Sequence, residues 1–362
     1  MRNTLVYPFG KKFYPILKNA KNMHDIYIKY IVSPSGWGLY GNAYHSADHR
    51  ILRVETNFEK CIEDSQLLWI VDSDEDLDFE NIIVPLIDNA IFKGKKLLYT
   101  RTTTTEEAMF ISTKYKESLI SELCRQEESD ILLSNDNYEE ILTPVIAIGE
   151  LYDGVDSFGA QLSLINEFAD RGIKVLPYSY RNECCEVGIR PYPTFLYSHN
   201  IDFKQKVLGL HNYFKKIEIE EKPDLMLLSI PFGLLDFSPK CYSEFGYYGY
   251  LIPNAISIDI GMLNIPFLDC TDNELDKMSF EIFHRYGIPI EYFNMCPQFL
   301  LVDESKIYGK PQYLTLDSSF VQGKINSIRK HNVFVLESHE YVSKMTDHMI
   351  SRLNYFGAVK MV

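Results

Sequence analysis

Apolar and polar residues in the first 125 positions alternate between the period typical of strands and the period typical of helices. Apolar residues recur at helical spacing from 79 to 91, and Thr104 with Glu107 has the spacing of a capping box that begins another helix. Short apolar runs around these helices predict the strands Thr4–Tyr7, Ile26–Val32, Leu67–Val71 and Lys96–Thr100. Strands that alternate with helices in this way indicate βαβ units and therefore a mainly parallel sheet.

The same alternation returns after a stretch rich in acidic residues between 124 and 143. Helices are predicted over 158–169 and 273–286, because Gly172 and Gly287 follow them as C-terminal glycines. The predicted strands are Pro144–Ile148, Ile173–Pro177, Asp224–Ile230, Ala255–Ile260, Gln298–Val302 and Val333–Leu336.

This pattern predicts an α/β fold with two Rossmann-like or P-loop-like three-layer domains and mainly parallel sheets. The first domain, over 1–125, is expected to be Rossmann-like, and 126–143 is expected to be a linker. The second domain, over 144–362, is expected to resemble a P-loop NTPase with a degenerate phosphate loop.

Composition and charge narrow the possible functions. The 362 residues carry a formal net charge of −14 with no stripe of lysine and arginine, which argues against a nucleic-acid partner. No apolar run approaches the roughly 20 residues of a membrane-spanning helix, and the amino terminus lacks the apolar region of a signal peptide. The seven cysteines include no C-x-x-C pair, as is usual in a reducing compartment. A cytoplasmic protein without a membrane partner is therefore expected.

The segment after the strand that ends at Ile148 has the glycine spacing of a phosphate-binding loop. Gly149 and Gly154 match G-x-x-x-x-G-K-[ST], with a strand before and a helix after. However, Val155 replaces the lysine that reaches the phosphates, and Asp156 replaces the hydroxyl that binds Mg²⁺. Three carboxylates lie in or beside the loop: Glu150, Asp153 and Asp156. They would repel a triphosphate unless a metal ion lay between them, so nucleotide hydrolysis is disfavoured.

Three interpretations of this loop remain open. In the first, the glycines make a tight turn and Asp156 caps the following helix. In the second, the loop retains a site for a non-nucleotide or metal-bridged ligand, and in the third it still hydrolyses nucleotides. The candidate ligand-binding residues of the second interpretation are Gly149, Asp153, Gly154, Asp156 and Ser157.

Two other segments are candidate contact sites. Gly36, Trp37 and Gly38 follow a predicted parallel strand, where open α/β sheets place ligands, and the tryptophan could receive a peptide or small ligand. The aromatic segment Phe245–Tyr250 either lies across a bound peptide or forms a hairpin-like turn with its rings packed on the domain.

Metal binding is not predicted at any site. His45 and His49, with Asp48 between them, would share a face only if the segment were helical, and the neighbouring glycines disfavour a helix. No catalytic residue and no cofactor are identified by a motif.

Three segments together resemble one known family. Ser33–Gly41, Ile148–Phe158 and Lys222–Gly233 look like the corresponding parts of a clostridial peptide-maturation-system family. The family is associated with ribosomally made, Cys-rich, bacteriocin-like peptides and a radical SAM maturase. The resemblance therefore implies an accessory role in the biosynthesis of a peptide natural product, with the precursor peptide and the maturase as partners. The alternative is an enzyme that binds a phosphorylated or metal-chelated ligand at Gly149–Ser157 and performs nucleotide-dependent group transfer.

Overall fold

A computed structural model describes residues 1–359, apart from 22, 74, 121–138, 242–243, 326–327, 329 and 337. The chain divides into two compact units. The first contains Met1–Gln126 with Arg181–Pro191, and the second contains Glu127–Tyr180 with Tyr192–Val362. Most of the predicted linker, 126–143, lies outside the described residues.

The first unit is built on a six-stranded sheet in the order β3-β4-β2-β1-β5-β6. Strand β3 is antiparallel to β4, and the other pairs are parallel. Its elements are β1 (Arg2–Tyr7), α1 (Tyr14–Asn19), β2 (Ile26–Val32), β3 (Ala43–His45), β4 (Ile51–Glu55), α2 (Phe58–Glu63), β5 (Leu67–Ile70), a π-helical turn (Phe79–Ile83), α3 (Val84–Phe92), β6 (Lys96–Tyr99) and α4 (Thr105–Lys114).

The chain continues with a second set of strands and helices. These are β7 (Val145–Glu150), α5 (Ser157–Asp170), β8 (Val175–Ser179), β9 (Arg190–Pro191), α6 (Phe203–Glu221), β10 (Leu225–Gly233), α7 (Tyr247–Ala255), β11 (Ile260–Ile265), α8 (Asp272–Tyr286), β12 (Ile290–Met295), β13 (Gln298–Leu300), α9 (Val302–Tyr308), β14 (Tyr313–Thr315), α10 (Ser318–Ile325), β15 (Asn332–Phe334) and α11 (His339–Val359). Short 3-10 turns lie at Cys185–Val187 and Thr194–Tyr197.

Helices cover both faces of the second unit's parallel sheet. Its strands run in the order β15-β12-β11-β7-β10-β8. Successive residues of β7 point to opposite faces: Val145 and Ala147 join one apolar core, whereas Ile146 and Ile148 join another. All four side chains are buried, which is why this strand has a continuous apolar sequence.

The position of β7 in the sheet matters for function. The chain passes from β7 to β8 and β10 on one side, and then crosses to β11 on the other. Open α/β sheets bind ligands at such a reversal, outside the carboxyl ends of the strands. The loop that follows Glu150 therefore lies where a ligand site is expected from topology alone.

Several details differ from the sequence predictions. The strand predicted over Ala255–Ile260 is wrong, because α7 continues to Ala255 and β11 starts only at Ile260. Ile256, which follows the helix, has an extended backbone, and residues 256–259 form the short connection to β11. The segment Arg181–Pro191, which was predicted to belong to the second domain, groups with the first unit.

Within the described part of the chain, no helix combines the length and the apolar character that spanning a bilayer requires.

Candidate functional site

The loop between β7 and α5 is held tightly against the end of β10. A Cβ atom at Gly149 would lie 2.7 Å from Leu234 Cδ1, so a side chain does not fit there without displacing that leucine. Gly154 has a φ of +81°, a left-handed conformation that favours glycine. Close approach of Leu234 therefore favours glycine at 149, and backbone conformation favours it at 154.

The Glu150 carboxylate is buried inside this loop and accepts three hydrogen bonds. Its Oε2 accepts from the Gly154 N–H at 3.1 Å, and its Oε1 accepts from Ser157 Oγ at 2.5 Å and from the Tyr180 hydroxyl at 3.0 Å. In a phosphate loop, backbone N–H groups of this kind hold the anion. Here the Gly154 N–H donates its hydrogen bond to the Glu150 carboxylate of the chain itself.

Burial raises the pKa of Glu150 to about 7, and the charge of Asp153 adds to this shift. The hydrogen bonds from Ser157, Tyr180 and Gly154 oppose the shift, because they stabilise the ionised form. The group is thus a buried carboxyl that changes its charge near neutral pH.

The other two carboxylates of the loop also bind their own chain. Asp153 Oδ1 accepts from the Gly233 N–H at 2.5 Å, which joins the loop to the end of β10. Asp156 Oδ1 accepts from the Gly159 N–H at 2.9 Å and is the N-cap of α5. The interpretation that Asp156 caps this helix is confirmed.

Val155 stands where a phosphate loop has its lysine, and its side chain is only 1% exposed. It lies among the buried apolar residues of the unit. The position therefore has neither the charge nor the exposure with which a phosphate-binding lysine reaches its ligand.

Two side chains from distant parts of the chain cover the loop. Gln298 Oε1 accepts from the Asp156 N–H at 2.9 Å, and Gln298 Nε2 donates to the Gly154 carbonyl at 3.1 Å. The Tyr313 hydroxyl donates to the Asp153 carbonyl at 2.9 Å. These residues lie on the β13–β14 ribbon, and no local pattern near the loop could have identified them.

Buried amides fix the other side of the loop. Asn264 Nδ2 donates to the Gly149 carbonyl at 2.9 Å, and Asn294 Nδ2 donates to Asn264 Oδ1 at 2.8 Å. Asn294 Oδ1 in turn accepts from the Leu336 N–H at 3.1 Å. Such a connected network of buried polar groups rigidifies its surroundings.

The loop does not gather a metal site. Among the described residues, no group of three or more His, Cys, Asp or Glu side chains is placed to hold a metal ion. The end of β10, where a Mg²⁺-binding aspartate is usual in nucleotide sites, reads Ser229–Gly233. This segment contains no acidic residue.

The candidate residues of the first unit lie in the loop after β2. Gly36 and Gly38 have φ values of +95° and +70°, and, among the described residues other than their chain neighbours, no atom would lie within 4 Å of a Cβ at either position. Their conformation, rather than lack of space, calls for glycine. Trp37 is half-buried and packs against the first unit's apolar core.

The His45–His49 segment is not a helix. His45 ends β3, and His49 lies in a turn closed by the Ser46 N–H, which donates to the Arg50 carbonyl at 2.9 Å. Asp48 accepts from Ser46 Oγ at 2.5 Å and from Arg50 Nε at 2.7 Å. The acid between the two histidines therefore stabilises the turn.

The segment Phe245–Tyr250 lies beside a surface cavity of about 580 Å³. The predicted hairpin-like turn is wrong, because Gly246 is the N-cap of α7, but the predicted packing of tyrosine rings on the domain is confirmed for Tyr247 and Tyr248. Phe245 has a φ of +50° and is 68% exposed, so a bulky side chain is presented to solvent from a strained backbone. The cavity is lined by Glu244, Phe245, Gly246, Tyr247, Tyr250, Arg285 and Tyr286.

Gly246 and Tyr286, which we call the floor of this cavity, are packed tightly together. The Tyr286 hydroxyl donates to the Leu234 carbonyl at 2.5 Å and lies only 1.9 Å from the Cβ position of Gly246. On the other side, the Tyr250 ring stacks on Phe203, with centroids 5.4 Å apart. The cavity is thus preformed by packed aromatic rings.

Leu234 connects the degenerate loop with the aromatic cavity. Its N–H donates to the Glu150 carbonyl at 2.8 Å, and its carbonyl accepts from Tyr286. Its side chain packs against both Gly149 and Gly249. Leu234 Cδ1 and Cδ2 lie 2.7 and 2.5 Å, respectively, from the points that a Cβ atom would occupy at these two glycines. The loop therefore positions a residue that supports the floor of the cavity.

Comparison with known proteins gives the fold. No protein-family model matches the chain, and no curated protein matches it. Among solved structures, the chain is similar to a DUF1611 family protein from Anabaena variabilis ATCC 29413, with a TM-score of 0.52 and 9% sequence identity. The likeness covers 82% of this chain and 88% of that chain. It confirms the predicted α/β fold with two mainly parallel sheets.

Proposed function

We propose that this chain is a cytoplasmic accessory protein in the maturation of a ribosomally synthesised, bacteriocin-like peptide. It binds the precursor peptide, the maturase or a small ligand, and it does not hydrolyse nucleotides. The biological context comes from the resemblance of Ser33–Gly41, Ile148–Phe158 and Lys222–Gly233 to a clostridial peptide-maturation-system family.

One structural observation carries the non-hydrolytic part of the proposal. Every carboxylate of the loop contacts its own chain: Glu150 accepts from Gly154, Ser157 and Tyr180, Asp153 accepts from Gly233, and Asp156 accepts from Gly159. A triphosphate at this position would have to displace Glu150 from the Gly154 N–H and would meet three acids without a lysine. The alternative, an enzyme for a phosphorylated or metal-chelated ligand at Gly149–Ser157, is disfavoured by the same contacts.

Binding measurements with purified components test this function. The partners to use are a short Cys-rich precursor peptide and a radical SAM maturase of the kind associated with the resembled family. Isothermal titration calorimetry is expected to show a complex with at least one of them, whereas a scrambled precursor and an unrelated radical SAM enzyme should not bind. If neither genuine partner binds, the proposed role is wrong.

A further inference from the structure

We propose that the aromatic cavity beside Phe245 is a peptide-binding site for a large apolar side chain, preferably aromatic, flanked by lysine or arginine in an extended segment. This inference rests on the proposed function, since it identifies the part of the molecule that receives the peptide. It goes beyond that function, because it specifies that the bound peptide segment is positively charged.

The shape and composition of the cavity favour an apolar anchor. Phe245 and Tyr250 are 68% and 51% exposed at its edge, and Tyr247 and Tyr286 complete an aromatic lining. Aromatic rings supply a large contact area with few rotatable bonds, so little conformational entropy is lost when a side chain packs against them. Because Gly246 and Tyr286 already fix the floor, the cavity does not have to form during binding.

Charge at the cavity favours a cationic partner. Three carboxylates bear on the charge of the cavity. Glu244 lines it, and Glu281 and Asp236 interact electrostatically with the lining residue Arg285. The Arg285 guanidinium is 3.9 Å from the Glu281 carboxylate, and Lys206 is buried with its ammonium 5.3 Å from the centre of the Tyr247 ring. Among these five groups the acids outnumber the cations by one, on a chain whose net charge is −14.

The test uses the full chain and three labelled synthetic peptides in fluorescence anisotropy. The first has one phenylalanine between two pairs of lysines, the second has alanine in place of the phenylalanine, and the third has glutamate in place of the lysines. The first peptide is expected to bind at least about tenfold more tightly than either of the others, as for a buried aromatic anchor. Its binding should weaken as salt rises, because exposed charges are screened.

Two variants locate the site, each with a matched control. Phe245→Ala is expected to weaken binding of the first peptide about tenfold, whereas Phe92→Ala, at a phenylalanine that is 93% exposed in the first unit, should leave binding unchanged. Glu244→Lys should weaken binding, whereas Glu220→Lys, at an exposed glutamate on α6, should not. Thermal unfolding of each variant checks that the fold is intact.

Equal affinity for the three peptides, or binding that is unchanged by Phe245→Ala, would overturn the inference. The genuine precursor separates this result from the proposed function. If the precursor binds and Phe245→Ala has no effect on it, the cavity assignment fails and the accessory role stands. If only the synthetic peptide binds and the effect of Phe245→Ala is present, the cavity assignment stands and the biological role fails.

Discussion

Glu150 is the residue whose environment departs most from that of an ordinary loop glutamate. Its side chain is almost completely buried, beside Asp153, and it receives hydrogen bonds from two hydroxyls and one backbone N–H. These donors partly offset the cost of burying the charge, but the pKa of about 7 shows that burial dominates. A change of charge at this position is therefore linked to folding.

The linkage gives a pH-dependent prediction. Folding raises the pKa of Glu150 from 4.5 to about 7, so the contribution of this carboxyl to stability is complete below pH 4.5 and is lost as the pH rises through 7. The loss is about 3 kcal/mol at most. Glu150→Gln should remove this dependence, so that chemical denaturation from pH 5 to pH 8 gives a flatter stability profile than the wild type.

The comparison for this variant is Glu220→Gln, at an exposed glutamate on α6. That change should leave the pH profile of the wild type unchanged. In Glu150→Gln the new amide cannot accept all three hydrogen bonds, and this cost is independent of pH, so only the slope is informative. Parallel profiles for wild type and Glu150→Gln would contradict the assigned pKa.

Individual residues also show what sequence spacing could and could not predict about the site. Gly149, Gly154 and the cap at Asp156 were found by local pattern, since each acts within a few residues of its own position. Gln298 and Tyr313 were missed, because their contacts with the loop span more than 140 positions. A single sequence does not contain that information in any local pattern.

At the level of elements, helix α5 depends on the residue that caps its N-terminus. Asp156 accepts from the Gly159 N–H, one of the donors that a helix start leaves without a partner. Asp156→Ala should lower the free energy of unfolding by about 1 kcal/mol, whereas Asp156→Asn should keep most of it, because asparagine caps equally well. Urea denaturation measures both. A loss in Asp156→Asn as large as in Asp156→Ala would show that capping is not the main role.

Helix α7 begins at a glycine that has neither the space nor the backbone conformation for a side chain. Gly246 has a φ of +68°, and its Cβ would lie 1.9 Å from the Tyr286 hydroxyl. Gly287, after α8, has a similar φ of +75°, but in the part of the chain that the structure describes, its two neighbours aside, nothing lies within 4 Å of its Cβ position.

Alanine substitutions at these two positions should therefore separate strain from crowding. Gly287→Ala is expected to destabilise the protein by about 1 kcal/mol through its backbone conformation alone. Gly246→Ala should lose about 1–3 kcal/mol more, because the tyrosine has to move. Denaturant unfolding of both variants tests this, and equal losses would contradict the described packing around Tyr286.

The alternation of elements was largely predictable, and the exceptions have physical causes. The capping box of Thr104 and Glu107 begins α4 as predicted, because it depends only on residues three apart. The strand β2, Ile26–Val32, has the predicted bounds. By contrast, α6 and β12 were not predicted, and the strand placed over Ala255–Ile260 is wrong. Short apolar segments suit either state, so long-range packing decides between them.

For the whole molecule, the net charge and the chemistry of the loop both oppose the binding of a nucleotide. A chain of charge −14 repels a free triphosphate before any contact is made, and the buried Glu150 repels it at the loop. ATP or GTP with magnesium is therefore expected to leave the melting temperature unchanged in a thermal-shift assay. A rise of several degrees that Asp156→Ala abolishes would contradict the proposed function, since a ligand that binds the folded state stabilises it.

The buried position of Val155 has a consequence for any attempt to engineer an ATPase from this scaffold. Introducing lysine there would bury an ammonium group. The buried carboxylate of the loop, Glu150, could not compensate it freely, because it already accepts hydrogen bonds from Ser157 and Tyr180. A nucleotide site would also require Glu150 and Gln298 to be replaced together with Val155, because both form hydrogen bonds with backbone groups of the loop. Single substitutions toward a nucleotide site should thus cost stability without restoring a site, so an ATPase is not reachable from this chain one residue at a time.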